Sequence, residues 1–132
     1  MAAMTKSMRI LVVDDNHHTA DTFALLVKQE GHAAFVAYDG LGALNAAIHT
    51  RPHIVFLDIS LPLINGYEVA RQIRANPALK DALIVAVTAY GTTQDKIRAH
   101  AAGIDLHMTK PIDSHQILQT VTRALEAIRP SH

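Results

Sequence analysis

The sequence has no cysteine, which excludes a disulfide scaffold, a thiolate metal site and a cysteine nucleophile. Net charge is absent too: 12 Lys and Arg balance 12 Asp and Glu. A general nucleic-acid binder needs a basic excess to displace counterions, so none is expected as a partner. No apolar run approaches the roughly 20 residues that span a bilayer, so no membrane is expected either. The first eight residues, Met1-Ala2-Ala3-Met4-Thr5-Lys6-Ser7-Met8, lack the apolar core of about 7–15 residues that marks a secretory signal. They read as a flexible lead-in, and the expected location is the cytoplasm. What remains is a 132-residue chain, 49% hydrophobic and 18% charged. That composition gives one domain with a real core and argues against long disorder.

The hydrophobic period changes repeatedly along the chain. Ile10-Leu11-Val12-Val13 is a continuous apolar run, as expected of a strand buried on both faces. Similar runs predict strands at 33–37, 53–57 and 83–87, with a weaker one at 104–108. Apolar residues at helical spacing predict helices over 19–30, 40–50, 67–75 and 94–102. Gly31 and Gly103 follow two of these as stops. Asp113 or Ser114 can cap a last helix running to about Ile128. Five strands alternating with five helices predict an α/β fold, a doubly wound parallel sheet covered on both faces. The domain is expected over residues 9–128, with 129–132 as a tail and no output domain in this chain.

Polar residues gather where the strands stop. The first strand ends in Asp14 and Asp15, the third in Asp58, the fourth in Thr88, and the fifth near Lys110. In an open parallel sheet, the carboxyl ends of the strands line the ligand crevice. Three carboxylates there repel one another and should raise at least one pKa. A hard divalent cation relieves that repulsion, and oxygen-only ligands favour Mg2+ or Mn2+. With Lys110 and Thr88 added, the crevice has what a phosphoryl group needs, and Asp58 is the expected nucleophile, forming an acyl phosphate.

These residues carry a family resemblance. The motifs Ile10-Leu11-Val12-Val13-Asp14-Asp15-Asn16, Leu57-Asp58-Ile59-Ser60-Leu61-Pro62-Leu63-Ile64-Asn65-Gly66-Tyr67-Glu68, Val87-Thr88-Ala89 and Lys110-Pro111 occur in this order. Together they resemble the receiver domain of two-component response regulators over nearly the whole chain. The resemblance implies a flavodoxin-like (βα)5 sheet in the order 2-1-3-4-5 and a phosphoacceptor at Asp58. It implies Mg2+ held by Asp14, Asp15, Asp58 and the backbone carbonyl of Ser60, with Asp15 the more direct ligand of the acidic pair. Lys110 would pair with phosphoryl oxygens through a cis Lys110-Pro111 bond, and Thr88 would bond the phosphoryl group on arrival. The implied donor is a histidine kinase or histidine phosphotransfer protein, and the implied output is altered binding of a downstream effector protein. Such domains often dimerise through the face of the fourth helix, fifth strand and fifth helix.

The sequence departs from the commonest family pattern in two places. The aromatic switch residue three before the lysine is His107 here, and burying a histidine requires a hydrogen-bond partner. A pH-sensitive switch is conceivable at this position. Tyr90 and Ser60, each two residues after a site residue, stand where the family tunes access of water to the acyl phosphate.

Plainer readings stand beside these. Asp14 and Asp15 can cap a helix, Asp58 and Gly66 can serve a turn, Lys110 can be a solvated lysine, and Thr88 can bond backbone. Tyr90 is a surface aromatic or a docking residue. The nine histidines show no metal-ligand spacing. A phosphatase of the haloacid-dehalogenase type wants a second aspartate where Ser60 stands. A flavodoxin would not place Asp14 and Asp15 against a flavin phosphate. A degenerate receiver that only docks partners is at odds with a full set of site residues.

Overall fold

Alternate residues of each apolar run face opposite sides of a sheet, so a run buried throughout needs cover on both sides. A computed structural model describes residues 7–89 and 92–128. It contains β1 (Arg9–Val13), α1 (His17–Gln29), β2 (Ala33–Ala37), α2 (Gly40–Thr50), β3 (Ile54–Asp58), α3 (Gly66–Ala75), β4 (Leu83–Thr88), α4 (Thr93–Ala101), β5 (Leu106–Thr109) and α5 (Ser114–Ile128). All strand pairs are parallel, in the order β2-β1-β3-β4-β5, the expected flavodoxin-like arrangement. The central strands β1, β3 and β4 are almost wholly buried, whereas the edge strands β2 and β5 are largely half-buried or exposed.

The two faces divide the core. Leu11, Val13, Val55, Leu57, Ile84 and Ala86 pack against small and branched residues of α2, α3 and α4, including Ala43, Ala47, Val69, Ile73 and Ala99. Ile10, Val12, Ile54, Phe56, Val85 and Val87 pack on the other side against α1 and α5 through Ala20, Val27, Ile117, Val121 and Ala124. Burying each Val, Leu, Ile or Phe side chain contributes about 1.5–3 kcal/mol.

Element ends differ from expectation for local reasons. Helices expected to start at 19, 67 and 94 begin at His17, Gly66 and Thr93. The side chains of Asn16, Asn65 and Thr92 accept N–H groups of Thr19, Glu68 and Asp95, so each helix starts at its cap. Polar first turns carry no apolar period to announce them. The last helix is capped reciprocally: Asp113 Oδ1 accepts the Gln116 N–H at 2.8 Å, and Gln116 Oε1 accepts the Asp113 N–H at 3.1 Å. Gly31 and Gly103 take positive φ (93° and 92°) beyond α1 and α4, as expected of stops. β5 starts at Leu106 rather than 104, because the Ile104 N–H turns back to Ala99 O at 3.0 Å while its side chain enters the core.

Met8, assigned above to the lead-in, is a core residue, 2% exposed. Ser7 of the lead-in is exposed; residues 1–6 and the tail (129–132) lie outside the described residues, as does Tyr90. Among the described residues, no helix is long and apolar enough to cross a membrane.

Candidate functional site

β1 and β3 are neighbours, with Val13 opposite Leu57, so the residues that follow them emerge side by side. Asp14 and Asp58 are 5% and 4% exposed, while Asp15 is exposed. Carboxylate oxygens of all three lie within 4.8 Å of one another. Among the described residues this is the one cluster of three or more potential metal-ligating side chains, and no histidine joins it. Three oxygen donors from carboxylates suit a hard divalent cation.

Each buried carboxylate has one oxygen pinned by the backbone. The Asn16 N–H donates to Asp14 Oδ1 at 2.9 Å, and the Ser60 N–H donates to Asp58 Oδ1 at 2.9 Å. Both are turns in which an aspartate holds the N–H two residues on. The other oxygens face Lys110, whose ammonium lies 3.4 Å from Asp14 Oδ2 and 3.3 Å from Asp58 Oδ2. The Lys110-Pro111 bond is cis, and the Lys110 N–H donates to Thr88 O at 2.7 Å, tying the lysine backbone to the end of β4. Thr88 is buried, 7% exposed. Every expected site residue except His107 therefore gathers at one sheet edge.

One carboxylate pKa is raised, as expected, but for a different leading reason. It is that of Asp58, and burial is the largest cause. The Ser60 N–H and the Lys110 charge act against it, and repulsion by Asp14 adds less. Partial burial by itself would lower Lys110, but the Asp58 and Asp14 charges outweigh it and raise its pKa. The ammonium therefore stays charged between two carboxylates.

His107 lies on β5 opposite Ala86, a strand away from the acidic cluster. Both ring nitrogens are buried and have no hydrogen-bond partner among the described residues, contrary to the expectation that burial demands one. Burial, reinforced by Lys96 and opposed by Asp95, lowers its pKa and keeps the ring neutral.

Gly66, a turn glycine by its sequence, has a further role. It is the first residue of α3, where an added Cβ would stand 2.7 Å from Ile59 Cα and 2.8 Å from Asp58 O. It is required for close approach of α3 to the end of β3. Nothing in the local sequence pattern announces this, because the contact depends on how α3 packs against the end of β3. The Asn16 and Ser60 backbone contacts were legible in principle, since an aspartate two residues before an N–H is a turn signal. His17, next to the site, stacks on Tyr38 with ring centroids 3.7 Å apart.

Comparison with known proteins agrees with this geometry. The response regulator receiver domain family matches residues 10–122. The chain is 32% identical over 117 residues to the DNA-binding dual master transcriptional regulator RpaA of Synechocystis; the match covers 89% of this chain but 48% of that protein. It is 27% identical over 130 residues to Protein PilG of Pseudomonas aeruginosa, covering 98% of this chain and 96% of that one. The chemotaxis protein CheY4 of Vibrio cholerae has the same fold, with a TM-score of 0.86 at 24% identity over 90% of this chain and 99% of that one.

Proposed function

The chain belongs to the response regulator receiver domain family, and from that premise we propose that Asp58 accepts a phosphoryl group from a histidine kinase or histidine phosphotransfer protein. A carboxylate oxygen of Asp58 attacks phosphorus. The phosphorus–nitrogen bond of the donor's phosphohistidine breaks, and the departing imidazole keeps the bonding pair and takes up a proton. The product is an acyl phosphate, which water slowly hydrolyses. The role is that of a signalling phosphoacceptor rather than of an enzyme acting on a separate substrate.

The observation that carries this reading is the Lys110 ammonium seated between the Asp14 and Asp58 carboxylates, beside a third carboxylate. Mg2+ or Mn2+, held by Asp14, Asp15, Asp58 and the Ser60 backbone carbonyl, supplies neutralisation of the phosphoryl oxygens when bound. The Ser60 N–H keeps one Asp58 oxygen turned toward the backbone, so the other faces the lysine and the incoming group. Lys110 exchanges its carboxylate contact for phosphoryl oxygens. The Thr88 hydroxyl donates to the phosphoryl group, which adds about −2 charge at the sheet edge. Thr88 and His107 then carry the change to α4 and β5 and alter binding of an effector protein. That side exposes Ile97 on α4 and Leu106 on β5, apolar groups suited to a partner or a second copy along the α4–β5–α5 face.

Intact mass after incubation with acetyl phosphate and Mg2+ tests this. A gain of about 80 Da in wild type, absent in Asp58→Asn and with chelator, is expected for one acyl phosphate. Equal labelling of Asp58→Asn, or no metal dependence, would overturn the assignment.

A further inference from the structure

Histidines that play no part at the acidic edge occur at the opposite end of the sheet. His32 directly precedes β2 and His53 directly precedes β3, the two strands that flank β1. The Met8 N–H donates to His32 Nδ1 at 3.1 Å, and the Arg9 N–H donates to His53 Nδ1 at 2.9 Å. Consecutive residues of a strand point their N–H groups to opposite edges, so one histidine serves each edge of the entry to β1. The matching carbonyls are paired with backbone: Ala33 N–H donates to Met8 O at 2.9 Å, and His53 N–H to Arg9 O at 2.8 Å. The two imidazoles thus supply the acceptors that the two backbone N–H groups at the entry use.

An imidazole nitrogen accepts a hydrogen bond only when unprotonated, and both nitrogens of a histidinium are donors. We propose that His32 and His53 form an acid-sensitive clamp on the entry of β1, closed while both rings are neutral and opened on each side by protonation. A protonated ring turns an N–H toward the backbone N–H it formerly accepted. Burial lowers the His32 pKa below the ordinary histidine value, and the Glu30 charge, just past the end of α1, acts against it more weakly. Arg9, Arg51 and Asp81 share a groove with His53. The Arg9 guanidinium is bound to Thr50 O and Arg51 O at 2.8–3.0 Å, so its side chain is held without the His53 ring. Opening is therefore confined to the backbone of Met8 and Arg9. The clamp is independent of phosphoryl chemistry at the other end of the sheet.

The test is amide hydrogen exchange by NMR on the full chain, with protection corrected for the intrinsic pH dependence of exchange. Protection at Met8 and Arg9 should fall by roughly tenfold or more between about pH 7.5 and about pH 5 in wild type. Asparagine places an acceptor oxygen where Nδ1 stands but does not titrate. In the His32→Asn, His53→Asn double variant the fall should be less than about twofold. An equal fall in both proteins, or none in wild type, would overturn the clamp. Imidazole nitrogen shifts of wild type give a check that needs no variant. They should report a neutral ring with the proton on Nε2, and its titration should coincide with loss of protection at Met8 and Arg9. A proton on Nδ1 near pH 7.5, or titration without loss of protection, would also overturn it.

Discussion

Replacing Gly66 by alanine sets two physical effects of opposite sign against each other. Gly66 opens α3, and alanine is favoured over glycine in a helix by up to about 1 kcal/mol. Propensity alone therefore expects Gly66→Ala to stabilise the chain. The packing says otherwise. The new Cβ would meet Ile59 Cα at 2.7 Å and Asp58 O at 2.8 Å, both backbone atoms, and ordinary contact begins near 3.4 Å. Helix and loop must separate by about 0.7 Å, the difference between 3.4 and 2.7 Å. Overpacking of this kind costs about 1–3 kcal/mol. The net expectation is a loss of about 1–2 kcal/mol, or a Tm lower by about 4–8 °C at this chain length. Because the displaced atoms are the backbone of Asp58 and its neighbour, labelling by acetyl phosphate should also slow, by about tenfold. Gly42→Ala is the control. A Cβ there meets the Asp39 carboxylate tip at 3.0 Å and nothing else under 3.7 Å, so it should be neutral or stabilising. Urea denaturation of the three proteins, with labelling rates measured alongside, decides the matter. A Gly66→Ala protein as stable as Gly42→Ala and labelled at the wild-type rate would refute the close-approach account.

Three further outcomes are expected. The Asp58 pKa is raised by folding, so the folded chain binds its proton more readily than the unfolded chain does. Stability therefore falls as pH rises from the ordinary carboxylate range through the raised value, and stays lower above it. Asp58→Asn should then have a higher Tm than wild type at neutral pH without metal, and Mg2+ should narrow the gap by stabilising wild type alone; a lower Tm for Asp58→Asn would contradict this. Arg74 donates to Gly103 O, Lys80 O, Ala82 O and Asp105 Oδ2 at 2.5–2.8 Å, joining the end of α3 to the turns before β4 and β5. Arg74→Met should cost about 2 kcal/mol in urea denaturation, water in the adjoining groove replacing part of the loss, and a change under about 0.5 kcal/mol would count against that role. His107 has its pKa lowered by folding, so it contributes to a stability that is complete above the ordinary histidine value and is lost as pH falls through the lowered one. His107→Phe removes two unpaired buried nitrogens and should gain about 1 kcal/mol while flattening the acid limb of a Tm–pH profile; an unchanged limb would reject it.

What was legible in the sequence follows from the range of the forces involved. The strands expected over 10–13 and 53–57 were visible because burial on both faces demands a nearly unbroken apolar run. The stops at Gly31 and Gly103 were visible because positive φ favours glycine. The acidic residues were visible because all strand ends of a parallel sheet lie at one edge, although their approach to within 4.8 Å needs β1 beside β3. The hidden features all depend on which elements become neighbours. The collision awaiting a Cβ at Gly66, the Arg74 fork and the two histidine clamps each join residues whose proximity is decided by packing or strand order. His32 and His53 bond residues 24 and 44 positions away, and no local pattern distinguishes them from the other seven histidines. Strand order itself came from the family resemblance rather than from periodicity. Once β1 is known to lie between β2 and β3, the residue before each of those strands is placed beside the entry of β1. A histidine at such a position is then a candidate acceptor for a backbone N–H that the ladder leaves open. The same step applies to any parallel sheet whose order is known: the residue just before each strand flanking the first is where a pH-sensitive acceptor can act on strand entry.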